Sequence, residues 1–152
     1  MIGYIDATDE MFGIINAVLT DAKWHTALGY DIDTRWPGDA VAAKPSMVQL
    51  WARVSKQVVK DAQDSLANAE GERNYETVGL LYVQLFCPRN QPATLDNGRL
   101  VAIDLQKAFR KQSPSGEIWF LNQAIRELAE TEENYPIQVV TEYRYNTLDP
   151  NS

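Results

Sequence analysis

Residues 77–87 read Thr-Val-Gly-Leu-Leu-Tyr-Val-Gln-Leu-Phe-Cys, and Pro88 follows. Apolar side chains fall on both parities of this run, the pattern of a central strand covered on one side by helices and on the other by protein. Pro88 has no amide hydrogen to give a ladder and ends the strand. Upstream, Ser46–Ser55 (SMVQLWARVS) alternates, with Val48, Leu50, Ala52 and Val54 on one face and Gln49, Trp51 and Arg53 on the other, so a second strand is expected there. Between the two lies a polar insertion at about 56–76, with Arg53, Lys56 and Lys60 at its basic start and Asp61, Asp64, Glu70 and Glu72 after them. This charge order reads as a long, mobile hairpin arm.

Outward from this pair, each flank adds a helix. On the N-terminal side Met11, Ile14, Ile15, Val18, Leu19 and Ala22 form one stripe, predicting a helix over about 7–23 that begins with Asp6 or Thr8 as its cap. Residues 24–45, broken by Gly29, Pro37, Gly38 and Pro45, read as an ordered surface loop. After a turn-rich passage through Pro92 and Gly98, Val101, Leu105, Ala108 and Phe109 recur at helical spacing, with Lys107, Arg110 and Lys111 suited to the C-terminal end of the helix dipole. A turn at Pro114–Gly116 leads to a strand at Ile118–Leu121. Pro136–Tyr145 is a last strand, with Ile137, Val139, Thr141 and Tyr143 on one face. Between them LNQAIRELAETEEN has helical propensity, while its place between strands allows a bent hairpin. A short flexible tail is expected over 146–152.

The chain has 152 residues, enough for one domain, and is 45% hydrophobic. Its net charge of -7 argues against wrapping nucleic acid, which draws on clustered Lys and Arg. A lone cysteine, Cys87, makes no internal disulfide and reads as a buried thiol suited to a reducing compartment. The first residues, MIGYIDATDE, lack a basic and apolar leader, and no apolar run is long enough to cross a bilayer, so neither secretion nor membrane insertion is expected.

A search for chemistry finds no specific signature. The single histidine, His25, sits beside Trp24 with no nucleophile elbow in the chain, and Cys87 before Pro88 reads as core. Asp31 and Asp33 form a lone D-x-D, and Glu130, Glu132 and Glu133 an acidic run; both read as solvated faces rather than metal ligands. No phosphate-binding glycine pattern is present, and nothing brings a carboxylate pair such as Asp104 and Glu117 together. No catalytic residue, cofactor or metal is therefore expected. What remains is a set of aromatic and charged side chains suited to protein contacts: Trp36, Trp51, Trp119, Tyr135 and Tyr145, several of which have equally good places against the sheet. The arm reads either as a solvated loop or as a contact whose basic and acidic halves pair between neighbouring subunits.

In element order the chain resembles the tail terminator, or tail completion, proteins of long-tailed bacteriophages. The resemblance lies in ATDEMFGIINAVL, the strand WARVS with its polar arm, TVGLLYVQLFCP, LVAIDLQKAFRK, SGEIWF and YPIQVVTEYRY, and spans most of the chain. It implies an α+β domain over 1–152, a mixed and mostly antiparallel sheet flanked by two main helices, with residues 118–145 as a bent hairpin. It also implies a ring, typically a hexamer, that caps the tail tube, stops its growth and offers a docking face to head-completion or neck proteins. DNA would only pass through the lumen, and the protein would reside in the virion tail after assembly in the host cytoplasm. Candidate contact residues under this reading are Arg53, Lys56, Lys60, Asp61, Asp64, Arg73, Trp36 and Trp119. An acidic lumen would let DNA slide by repelling its phosphates. Rival readings are another head-tail joining or tail tube protein, and a small enzyme or ligand-binding domain using the cleft near Trp24, His25 and Trp36.

Overall fold

The computed structural model describes residues 1–39, 48–66, 73–89 and 91–149, with side chains left out at 63–66, 73, 148 and 149. Among the described residues are helices α1 (Tyr4–Leu19), α2 (Ala22–Leu28) and α3 (Pro92–Arg110), and strands β1 (Asp33–Arg35), β2 (Trp51–Leu66), β3 (Arg73–Pro88), β4 (Ile118–Glu127) and β5 (Asn134–Asp149). The strands form one sheet in the order β1-β2-β3-β5-β4, with β1 parallel to β2 and every other pair antiparallel. This is the mixed, mostly antiparallel α+β domain the sequence leads one to expect.

The first helix is displaced from its expected span. It begins at Tyr4 with Gly3 as an N-cap that makes no side-chain hydrogen bond. Thr8 lies inside it, its hydroxyl donating to the Tyr4 carbonyl, so neither Asp6 nor Thr8 caps. The buried stripe is Ala7, Met11, Ile15 and Leu19, one residue every four. The helix stops at Thr20 because Asp21 caps a separate helix, its carboxylate accepting from the Lys23 amide, and the Trp24 indole N–H donates back to the Val18 carbonyl. Gly29, at φ 84°, ends α2 in the left-handed conformation that costs glycine no Cβ clash. The expected loop at 24–45 thus contains most of a helix and the strand β1; its residues 40–45 lie outside the described residues. The expected strand start at Ser46 and Met47 lies there too, while Val48 is exposed and β2 begins at Trp51.

Helix α3 starts earlier than the apolar spacing suggests, with Pro92 in its first turn, where a missing amide hydrogen costs nothing. Gly98 lies within it because a Cβ there would sit 2.5 Å from Cys87 Sγ, so glycine lets helix and strand approach. Of the passage at 121–130, residues 121–127 are strand and 128–130 follow its end. β4 and β5 form an antiparallel hairpin with a bulge between Leu121 and Ala124, where Asn122 takes φ 55° and donates to Glu142. Register and burial outweigh the helical propensity of AIRELAE, since Ile125 opposite Val139 packs against the core.

The polar arm is not an insertion. β2 and β3 continue as paired strands to Leu66 and Arg73, and β5 runs alongside β3 to Asp149, so the arm is a three-stranded extension of the sheet. The expected tail at 146–152 is therefore strand through Asp149; residues 150–152, and the arm's 67–72, fall outside the described residues. One face of the sheet, including Ala52, Val54, Leu81, Val83, Leu85, Ile137, Val139 and Tyr143, forms a single core cluster with the stripes of α1 and α3. Val83, Leu85, Ile137 and Val139 are fully buried. Each such side chain contributes roughly 1.5–3 kcal/mol through removal from water.

Candidate assembly surface

The strand period of two sends alternate residues to the face opposite the helices. Trp51 and Val140 are buried yet stand outside the helix-side core cluster, and they mark this second face. Its rows follow from the register: Trp51, Phe86 and Pro136; Arg53, Gln84, Gln138 and Arg126; Ser55, Tyr82, Val140 and Ala124; Gln57, Leu80, Glu142 and Leu121; Lys60, Val78, Arg144 and Trp119. Trp51 stacks on Phe86 with centroids 4.1 Å apart, and the Arg53 guanidinium lies over Phe86 at 5.2 Å while donating to Gln84 at 3.2 Å. Trp119, by contrast, is 53% exposed.

Charges on this face are largely engaged within the chain. Arg144 pairs with Glu142 at 3.1 Å, and the Asn122 amide and Arg144 together hold the Glu142 carboxyl below its ordinary range, Asn122 having the larger effect. Lys60 lies 3.7 Å from Glu76 on the facing strand. Lys56 points to the helix side, donating to Thr8 Oγ1 at 2.6 Å and sitting over the Tyr4 ring at 4.1 Å. Asp61 accepts from the Thr77 hydroxyl at 3.1 Å. Of the arm charges named from sequence, Arg53, Lys56, Lys60 and Asp61 thus have partners within the chain, while the Asp64 and Arg73 side chains lie outside those described. Trp36 packs on Phe12 with centroids 5.2 Å apart.

Sequence reading missed the exposed apolar set beside these charges: Tyr4, Ile5, Val58, Val59 and Leu121, all at least 39% exposed. A signal was present in the pair Val58–Val59 inside an otherwise polar stretch. The aromatic residues of uncertain place divide as well. Tyr143 and Tyr145 are buried and Tyr135 packs on the core edge, whereas Trp119 faces solvent.

Residues named for rival chemistry do not converge. Trp24 is buried in the core, His25 is exposed and 2.8 Å from Asp31, and Asp33 pairs with Arg35 at 3.1 Å. Glu130 pairs with Arg89 at 2.9 Å. Among the described residues no three His, Cys, Asp or Glu side chains are placed to hold a metal ion. Cys87 is fully buried and desolvation pushes its thiol up to about 12, far from a nucleophile's range. An open groove of about 880 Å³ runs between α1 and α3, with Ile14, Ala17, Val18 and Ala108 along it and an ion pair between Lys23 and Asp104. No described helix is long and apolar enough to cross a membrane.

No family model matches the chain, and no curated protein does. Among solved structures, one whose name states no function aligns over 91% of this chain and 94% of its own, with a TM-score of 0.55 at 15% identity. At that identity the likeness establishes a shared fold and nothing beyond it.

Proposed function

We propose that this chain is a tail-terminator subunit: a virion protein that assembles as a ring, caps the end of a phage tail tube, halts its polymerisation and presents a docking face to the head-completion proteins. The observation that carries the reading is the open surface of the sheet. Among the described residues one face bears no helix, the outer edges of β4 and most of β2 are unpaired, and the two edge strands expose Val58, Val59, Trp119 and Leu121. A surface of this kind is costly on a chain that acts alone and useful on one that is covered by partners. The order of elements supports the same reading, since the helix, the arm-bearing strand pair, the second helix and the bent terminal hairpin follow one another as in the family the sequence resembles.

A ring needs one patch on each subunit to fit a different patch on its neighbour, and a single sheet with two unlike edges supplies that. Net charge of -7 suits a subunit past which DNA slides without adhering. The test is to add purified protein to polymerising tail tubes and record tube lengths and ends by electron microscopy, alongside its mass in solution. Termination predicts one ring at each tube end and arrested growth. Polymerisation without limit would identify a tube protein instead, and a persistent monomer that ignores tubes would refute both.

A further inference from the structure

Resting on the ring reading, we infer that neighbouring subunits join edge to edge, the outer edge of β4 on one copy pairing antiparallel with the outer edge of β2 on the next. The sheet ends in β4 on one side. On the other side β1 covers only Trp51–Arg53 of β2, and among the described residues nothing pairs with Val54 onward along that edge. Free edges are ordinarily guarded by charge, proline or shortness. Here β4 runs ten residues without proline, and its first half exposes Trp119 at 53% and Leu121 at 39%. β2 exposes the consecutive Val58 and Val59 at 41% and 61%, while the lysines that would guard it are drawn aside, Lys56 to Thr8 and Lys60 to Glu76.

Direction and level both fit. β2, β3, β5 and β4 are successively antiparallel, so β4 runs opposite to β2, and a copy moved sideways across the sheet presents an antiparallel edge. Val58, Gly79, Tyr143 and Phe120 are successive register partners and lie on one row. A copy translated along these rows sets Val58 beside Phe120 on the helix side, and the Lys60 and Gln57 stems beside Trp119 and Leu121 on the other, without a slide along the strands. Each edge also carries a bulge near that row, between Val58 and Lys60 and between Leu121 and Ala124. Bulges bend a strand and raise its twist, which turns the joined sheet and disfavours pairing with flat, unrelated edges.

Val59→Lys and Trp119→Lys place a charge on one edge each, at side chains more than half exposed, and circular dichroism and thermal unfolding report whether the fold survives. Sedimentation then gives the masses. The expected result is a ring for the unaltered chain and a single 17.2 kDa chain for either variant alone. An equimolar mixture should give a dimer, because only one compatible pair of edges remains. Rings from both variants would overturn the edge contact while leaving the ring reading intact, and a dimer of Val59→Lys alone would replace it with a two-fold β4–β4 contact. An unaltered chain that stays monomeric, even with tube ends present, would remove the ring reading and this inference together. Amide hydrogen exchange on the unaltered ring gives a second readout should a variant misfold: residues 54–60 and 118–124 gain protection on assembly, and unchanged exchange there refutes the pairing.

Discussion

Gly79 sits in the central strand, where Tyr143 of β5 crosses it, and the structure makes its replacement by alanine a sharp test of how the arm is packed. A Cβ at this position would press on the Gln57 carbonyl oxygen and the Tyr143 hydroxyl and lie 2.5 Å from Tyr143 Cζ. Alanine in place of strand glycine ordinarily gains roughly 0.5–1 kcal/mol from lower chain entropy. Overpacking costs about 1–3 kcal/mol, and more where the obstacle cannot move. Gln57 O is backbone held in the β2–β3 pairing, and Tyr143 is fully buried, stacked on Tyr145 at 6.1 Å. Neither has room to yield, so Gly79→Ala should destabilise by about 3 kcal/mol, read as a lower midpoint in urea with the slope unchanged. Tyr143→Leu separates the two obstacles. If the ring dominates, the double variant loses less than the sum of the singles; if the carbonyl dominates, the losses add. A Gly79→Ala protein as stable as the original would refute the close crossing of β3 by Tyr143 and the reasoning built on it.

The same logic applies at Gly98. Alanine there should destabilise by about 1–3 kcal/mol because its Cβ meets Cys87 Sγ, yet be neutral or stabilising by up to about 1 kcal/mol in a Cys87→Ala background, where helix propensity prevails; chemical denaturation of the four proteins decides. Burial raises the Cys87 thiol from 9.0 to about 12, so the unfolded chain ionises first as pH rises. Stability from this group is full below pH 9 and falls by about 1.4 kcal/mol per pH unit until about pH 12, a loss that Cys87→Ala should remove from the alkaline limb of the stability curve. Burial likewise raises Tyr143 and Tyr145, so the variant still loses stability above pH 10. Trp51→Ala removes the stack on Phe86 and should cost about 3 kcal/mol by thermal unfolding, at the low end for an aromatic because its face of the sheet carries no helix. Lys60→Ala, which removes only the exposed pairing with Glu76, should leave the thermal midpoint nearly unchanged at both low and high salt.

Local patterning carried most of the fold. The apolar run at 77–87 with its terminal Pro88 marks the centre of the sheet, and the alternation through Ile137, Val139, Thr141 and Tyr143 identifies the buried face of β5 because strand side chains alternate whatever lies beyond them. The stripes of α1 and α3 were legible for the same reason. Their starts were not, since Gly3 and Pro92 open them without a polar side-chain cap to announce the place. Tertiary structure alone decided three matters. Residues 124–127, the first half of AIRELAE, are strand because pairing with β5 outweighs a local preference worth a few tenths of a kcal/mol per residue. The arm is sheet because β5 continues beside β3 to Asp149, a contact between segments far apart in sequence. And among the described arm charges Lys56 is engaged with the first helix and Lys60 with the facing strand, because strand register determines which side chains meet.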